Sequence, residues 1–332
     1  GEAFVATADN PSAIYYNPTG LTQLTCHNLR VGSNLLYCEP TFRQTGSSRA
    51  FSIDENFAVA PQTYYAYRFD DTALSVGLGI YAPHGAAIEW PQDTGFRAVA
   101  TEGELTYLRL NPVLAAEVAP GLSVAVGVMA DYGDILIEQG LRRTAAPFAN
   151  FFRFEGDDIS LGYNLGVLWQ ANEKLSFGAT FRSGTTLEFD GKTSFEQQPI
   201  VPSTTLPASA RFEFPWTAVA GISYRPTPEW NIEFNVDYTA WSSFDRAVVR
   251  QEGTPPFPVQ QNIPFQLQWE DSWIYKIGVT RYLADGWHAS AGYVYNENSV
   301  PDDFYTPVVA DLDRHFLSFG SGRRSESFSC DG

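Results

Sequence analysis

Apolar and polar residues alternate one by one along much of the chain. In residues 121–129, Leu122, Val124, Val126 and Val128 share one face, and Ser123, Ala125 and Gly127 share the other. Leu74, Val76, Leu78 and Ile80 oppose Ser75, Gly77 and Gly79 in the same way. Leu161, Tyr163, Leu165, Val167 and Trp169 oppose Gly162, Asn164 and Gly166, while Leu175, Phe177, Ala179 and Phe181 oppose Ser176, Gly178, Thr180 and Arg182. Ile232, Phe234, Val236 and Tyr238 oppose Glu233, Asn235 and Asp237, and Trp273, Tyr275, Ile277 and Val279 oppose Lys276, Gly278 and Thr280. A period of two is the signature of β-strands with one apolar face.

The segments between the strands sort by length. Tight turns are predicted at Asp70–Asp71, Pro120–Gly121, Asn172–Glu173, Pro226–Pro228 and Asp285–Gly286. Long connections are predicted near 44–56, 83–103, 139–152, 193–210, 251–265 and 298–312. Aromatic residues gather at the ends of the apolar faces: Tyr64, Tyr65, Tyr67 and Phe69, then Trp169, Trp230, Tyr238, Trp241, Trp273, Tyr275 and Trp287. A β-sandwich alternates too, but it has no reason to sort its loops by parity or to ring its strand ends with aromatics. A transmembrane antiparallel β-barrel does both. The pattern predicts an all-β barrel with roughly twelve strands present.

Composition agrees. Of 332 residues, 15% are aromatic and only 18% charged, below the roughly one quarter usual for soluble domains. No apolar run is long enough for a membrane-spanning helix. The net charge of −17 supplies no basic stripe and so excludes a nucleic-acid partner. His27, His84, His288 and His315 are scattered, with no metal-ligand spacing, no G-x-S-x-G elbow and nothing that calls for a cofactor. That argues against a metal site and against an outer-membrane lipase or protease, because neither the ligand cluster nor the nucleophile motif is present. Cys26 and Cys38 are spaced so that a bridge between them is open. The chain begins at Gly1 without Met or a signal peptide, so an export signal is expected to have been removed or left out.

Residues 1–26, GEAFVATADNPSAIYYNPTGLTQLTC, break the alternation. Asp9-Asn10-Pro11-Ser12 is placed to cap one helical turn from Ala13 to Tyr16, and Asn17-Pro18-Thr19-Gly20 reads as a tight turn with Gly20 at positive φ. A wide barrel has a lumen that its own side chains cannot fill. The segment is either a plug inside that lumen or a tail outside it. The run GEAFVATADNPSAIYYNPTGL resembles the start of the FadL/TodX-type channels, whose hatch carries G-x-A-x-x-A-x-A-D-D-P-S-A-x-x-x-N-P-A-G-L. Gly1, Ala3, Ala6, Ala8, Asp9, Pro11, Ser12, Ala13, Asn17, Pro18, Gly20 and Leu21 match; Asn10 and Thr19 depart. The stretch from Lys276 to Gly320 is similar to that family's late hairpins.

The resemblance implies a barrel of about fourteen strands, a hatch at 1–26 and a barrel from 27–332 whose last strands are expected to be missing. It implies uptake of long-chain fatty acids or other hydrophobic compounds through the bacterial outer membrane, with its lipids as surroundings and a monomer expected. External loops would capture the ligand, an internal pocket would hold it, and a gap in the wall would release it sideways. The hatch residues would be Asn17, Pro18, Thr19 and Gly20. Loop residues Ile88, Trp90, Pro91 and Phe96, and Phe148, Phe151 and Phe152, are either a capture surface or packing beneath the loops. Arg182 and Lys276 face inward by alternation and would anchor a carboxylate unless Glu233 or Asp237 pairs with them; Arg97 and Arg109 are further candidates. Pro83 either ends its strand or marks the wall gap. A general porin for small polar solutes is the rival reading, and it would need a charged eyelet in place of a plug and apolar loops.

Overall fold

The computed structural model describes residues 2–46, 48–53, 57–142, 150–197, 201–256, 259–309, 311–325 and 329–331. After α1 (Ala13–Tyr16) and a 3-10 turn (Pro18–Gln23), the chain enters β1 (His27–Tyr37). A hairpin of β2 (Thr41–Phe42) and β3 (Phe51–Ser52) lies in the first loop, and β4 (Phe57–Arg68) returns along β1. β5 (Leu74–Tyr81) and β6 (Gly85–Glu89) are halves of one run, both paired to β7 (Glu102–Ala119). β8 (Leu122–Gly140) and β9 (Asn150–Asn172) are long and unbroken. Four further runs are each interrupted once: β10 (Leu175–Arg182) with β11 (Thr185–Gln197), β12 (Val201–Phe214) with β13 (Thr217–Tyr224), β14 (Trp230–Thr239) with β15 (Arg246–Gln251), and β16 (Asn262–Gln266) with β17 (Ser272–Tyr282). β18 (Trp287–Asn296), β19 (Arg314–Arg324) and β20 (Ser329–Asp331) follow. With the halves joined, twelve runs lead up to β20 among the described residues.

Every pairing is antiparallel, and each run lies beside its neighbours in sequence. Arg30 on β1 reaches Asp331 on β20, so the first and last strands come within an ion pair of each other. Among the described residues no helix is long and apolar enough to cross a membrane.

The alternation appears as two faces of one wall. Val124 and Val126 are 40% and 48% exposed while Ser123 and Ala125, which alternate with them, are buried. Phe234 is 43% exposed and Glu233 beside it 2%. A wall with apolar residues outward and polar residues inward is inside out relative to a soluble core, and suits an apolar surrounding. Phe181, Trp216, Tyr238 and Trp273 form an aromatic ladder across four neighbouring runs, Trp216 from the interruption between β12 and β13, with centroids 5.7, 5.0 and 4.9 Å apart.

Several expectations need correction. Within the expected connection 193–210, residues 193–197 belong to β11 and 201–210 to β12. Its prolines suggested a loop, but among the described residues β12 has β15 beside it only at Ala208–Ala210, and Pro207 lies at the end of that ladder, its carbonyl accepting from the Glu252 N–H at 2.8 Å. Tyr64 is buried in the interior rather than in an outer girdle, and Trp241 packs against His84 inside. Cys26 and Cys38 are free. They flank the eleven residues of β1, an extended length of about 36 Å, far beyond disulfide reach.

Candidate functional site

The amino-terminal segment lies against the inner face of the wall, and both sides are shaped for the contact. Predicted helix Ala13–Tyr16 is present. Asn17 is the hub. Its side-chain amide donates to the carbonyls of Val5 (2.8 Å) and Val167 (3.0 Å), and its oxygen accepts from the Thr19 N–H and hydroxyl at 3.3 and 2.5 Å. The extra hydroxyl of Thr19 therefore has a partner, and Pro18 starts the 3-10 turn, where its missing N–H costs nothing. Gly20 is not at positive φ as expected; it is needed for close approach, because a Cβ there would overlap the Ala8 carbonyl.

The wall answers with glycine. A Cβ at Gly77 would come within 2.7 Å of Leu21, one at Gly166 within 2.5 Å of the Asn17 side-chain oxygen, and one at Gly178 would overlap the Val5 carbonyl. Beside this glycine floor, Glu233 accepts from the N–H groups of Ala6 and Thr7 at 2.8 and 3.0 Å and from the Thr7 hydroxyl. Asn235, with its amide turned to donate to Glu233, accepts from the Phe4 and Val5 N–H groups. Glu233 was a candidate partner for a cation. It binds backbone instead, at Ala6 and Thr7.

The cations divide. Lys276 is buried and bound to Asp237 at 2.8 Å, with Glu2 at 3.5 Å. Arg109 and Asp131 form a buried bidentate pair at 2.6 and 2.8 Å. Arg97 is a loop organiser, donating to the Arg142 carbonyl, the Asn150 side chain and Gln92. Arg182 donates to the Tyr15 carbonyl and lies over the Tyr15 ring, and its Nε is buried with no partner among the described residues. Arg182 and Lys276 do face inward, on β10 and β17.

Above the segment the interior is layered. A polar belt comes first, in which Tyr81 donates to Asn111, Asn111 meets Asn164, and Tyr107 donates to Asp131 at 2.7 Å. Over it lies an apolar region built from Phe152, Phe154, Leu187, Phe189, Phe212 and Phe214. Of the residues proposed for capture, Phe152 faces this region, and Phe151 and Ile88 are half-buried. Trp90 and Phe96 are not exposed as a capture surface would require. They pack with Phe42 and Ile53, and the Trp90 ring N–H donates to the Pro307 carbonyl, so they tie three loops together. Phe148 lies outside the described residues.

At Pro83 the wall changes. The register against β7 runs from Tyr81 opposite Arg109 to Gly85 opposite Thr106, four steps along one strand against three on the other. On the other side, β4 is paired to this run only up to Gln62 opposite Tyr81. Beyond Tyr81 β6 therefore stays with β7 and carries no ladder to β4 among the described residues.

Comparison with known proteins agrees with this architecture. Residues 1–328 match the family model described as outer membrane protein transport protein (OMPP1/FadL/TodX). The long-chain fatty acid transport protein of Escherichia coli O6:H1 is 23% identical, over 95% of this chain and 78% of the relative. A 47 kDa outer membrane protein of Pasteurella multocida is 24% identical, over 98% of this chain and 79% of its own length. Among solved structures, a Pseudomonas aeruginosa FadL homologue superposes with a TM-score of 0.81 at 17% identity, covering 99% of this chain and 86% of that one. The Ralstonia pickettii toluene transporter TbuX gives 0.74 at 17% identity, covering 97% and 87%. An inside-out antiparallel wall, short turns facing long loops, and a family match over nearly the whole length lead to one assignment: this chain belongs to the OMPP1/FadL/TodX family of outer-membrane transport proteins.

Proposed function

We propose that the protein takes up long-chain fatty acids or other hydrophobic molecules, with residues 1–26 as the hatch and 27–332 as the barrel. The observation that carries this is the apolar region of Phe152, Phe154, Leu187, Phe189 and Phe214, stacked above a filled floor and beside the break at Pro83. A polar-solute porin needs water along its axis. An alkyl chain leaving water gains about 0.8 kcal/mol per methylene, and a route from this region to the wall break keeps the chain away from water throughout. Ile88 and Phe151 serve at the rim, Phe152 lines the pocket, and Trp90 and Phe96 hold the loops. Of the inward cations, Lys276 is already neutralised by Asp237 and Arg109 by Asp131, so Arg182 is the carboxylate anchor. The experiment is uptake of radiolabelled oleate by liposomes carrying the protein, against sucrose entry. Saturable oleate uptake without sucrose entry, and sucrose leakage after deletion of residues 2–20, support the reading; free sucrose entry into liposomes with the intact chain would restore the porin.

A further inference from the structure

The outward face of the wall ends differently at its two rims. At the loop end three exposed carboxylates stand in one cross-strand row, Asp134 opposite Asp157 and Asp157 opposite Asp190. At the tight-turn end the outward positions carry two arginines, each laid on a tryptophan. Arg281 follows the outward series Trp273, Tyr275, Ile277 and Val279 on β17, and its guanidinium lies 5.3 Å from the centre of the Trp230 ring on β14. Arg323 follows Leu317, Phe319 and Ser321 on β19, and lies 5.7 Å from the centre of the Trp287 ring on β18. Both tryptophans are exposed to the surroundings of the wall. Unlike Arg109, Arg153 and Arg314, neither arginine makes an ion pair among the described residues. Arg323 donates from its Nε to the Asp285 carbonyl at 3.3 Å, which leaves its terminal N–H groups available. Glu229, exposed in the turn before β14, has its carboxyl held below the usual range chiefly by the Thr227 side chain and only last by Arg281.

A guanidinium stacked on a ring uses its face and keeps the fork of N–H groups at its edge free for an anion. The two forks converge. Arg281 stands opposite Ala289, Ala289 opposite Ser321, and Arg323 opposite Trp287. With neighbouring strands about 4.8 Å apart and a rise of about 3.4 Å per residue, the two arginine Cα atoms lie about 12 Å apart. Two arginine side chains close that span over a single phosphate, and Ala289 between them raises no side chain in the way. We propose that Arg281 and Arg323, resting on Trp230 and Trp287, form a binding site for the phosphate of an anionic phospholipid. The tight-turn end of such a barrel faces the periplasm, and interfacial tryptophans sit at headgroup level, so the lipid is one of the periplasmic leaflet. The carboxylate row at the opposite rim repels the same headgroup. This site lies on the outside of the wall and is independent of the transport route within it.

The test is native mass spectrometry of the full chain in a neutral detergent, titrated with palmitoyl-oleoyl phosphatidylglycerol and, separately, with phosphatidylcholine of the same chains. Phosphatidylglycerol should bind at least about fivefold more tightly than phosphatidylcholine, whose choline offsets the phosphate charge. Arg281→Gln and Arg323→Gln should each weaken phosphatidylglycerol binding about fivefold, and together about thirtyfold, the scale of one and of two basic side chains at a membrane surface. Arg211→Gln removes an equal charge from β12 beside the carboxylate row, where Arg211 pairs with Glu213, and should leave binding within about twofold. Equal weakening by all three exchanges overturns the site in favour of net charge, and equal affinity for the two lipids overturns the choice of an anionic head. Displacement of phosphatidylglycerol by inorganic phosphate at equal concentration overturns the lipid as occupant. Should one Gln variant fail to give the heat-modifiable band of a folded barrel, the other decides alone, because both guanidiniums serve one phosphate, and unchanged binding there overturns the site.

Discussion

Replacing Glu233 by Gln probes how the amino-terminal segment is held. The Glu233 carboxylate is 2% exposed and accepts from the Ala6 N–H at 2.8 Å, the Thr7 N–H at 3.0 Å and the Thr7 hydroxyl. Gln keeps the shape, but only one of its two terminal atoms accepts, so its amide nitrogen must face a group that also donates. Hydrogen bonds to a charged group contribute about 1.5–3 kcal/mol and neutral ones about 0.5–1.5. Losing one bond and weakening the others costs the clamp about 2–5 kcal/mol. At about 1.4 kcal/mol per factor of ten, local opening around Ala6 and Thr7 rises roughly 30- to 3,000-fold. Hydrogen exchange followed by mass spectrometry reads this directly. Peptides spanning residues 3–12 should lose protection, whereas those from β8 and β9 should keep theirs. Unchanged protection at 3–12 would refute the clamp, and equal loss in β8 and β9 would show that the substitution damages the wall instead.

Three further outcomes are expected. Arg182→Ala should weaken oleate binding by about 1.5–3 kcal/mol in calorimetry and leave a neutral hydrocarbon of the same length unchanged; equal losses would remove Arg182 as the anchor. Lys276→Ala leaves Asp237 buried without its partner, so it should cost about 3–5 kcal/mol of stability, seen as a lower temperature for loss of the compact band on gels, and an unshifted temperature would mean the pair contributes nothing. Gly178→Val should clash with the Val5 carbonyl at about 1–3 kcal/mol, and in planar bilayers it should raise baseline conductance above that of the unmodified chain.

The wall was legible because a strand exposes its two faces in strict alternation, so Phe234 out and Glu233 in follow from position alone. Legibility ended where that period ends or is masked. Pro207 made a strand look like a loop, since a proline is disfavoured in a strand only where a ladder needs its N–H. Trp90 and Phe96 sit in a loop that has no period to say which side is covered. The bond from Ala6 to Glu233 joins residues 227 apart, and no local rule connects them. A signal for that contact was nevertheless present: Gly77, Gly166 and Gly178 all fall on inward positions, where a lumen facing only water has no need of so many missing side chains. His84 looked like one of four scattered histidines because the rings it meets, Tyr107, Phe214 and Trp241, come from three other runs.

The glycine floor has a consequence for how such proteins diverge. Wherever Gly77, Gly166 and Gly178 hold the wall back, the amino-terminal segment supplies the atoms that would have been their side chains. The two surfaces are thus a mould and its casting, although they lie far apart in the chain. A substitution on either one is tolerated only with a complementary change on the other. A chimera that grafts a relative's first twenty or so residues onto this wall should therefore fold poorly unless the inward glycines, Glu233 and Asn235 travel with them, whereas the outward face, which touches nothing of that segment, is free to be exchanged on its own.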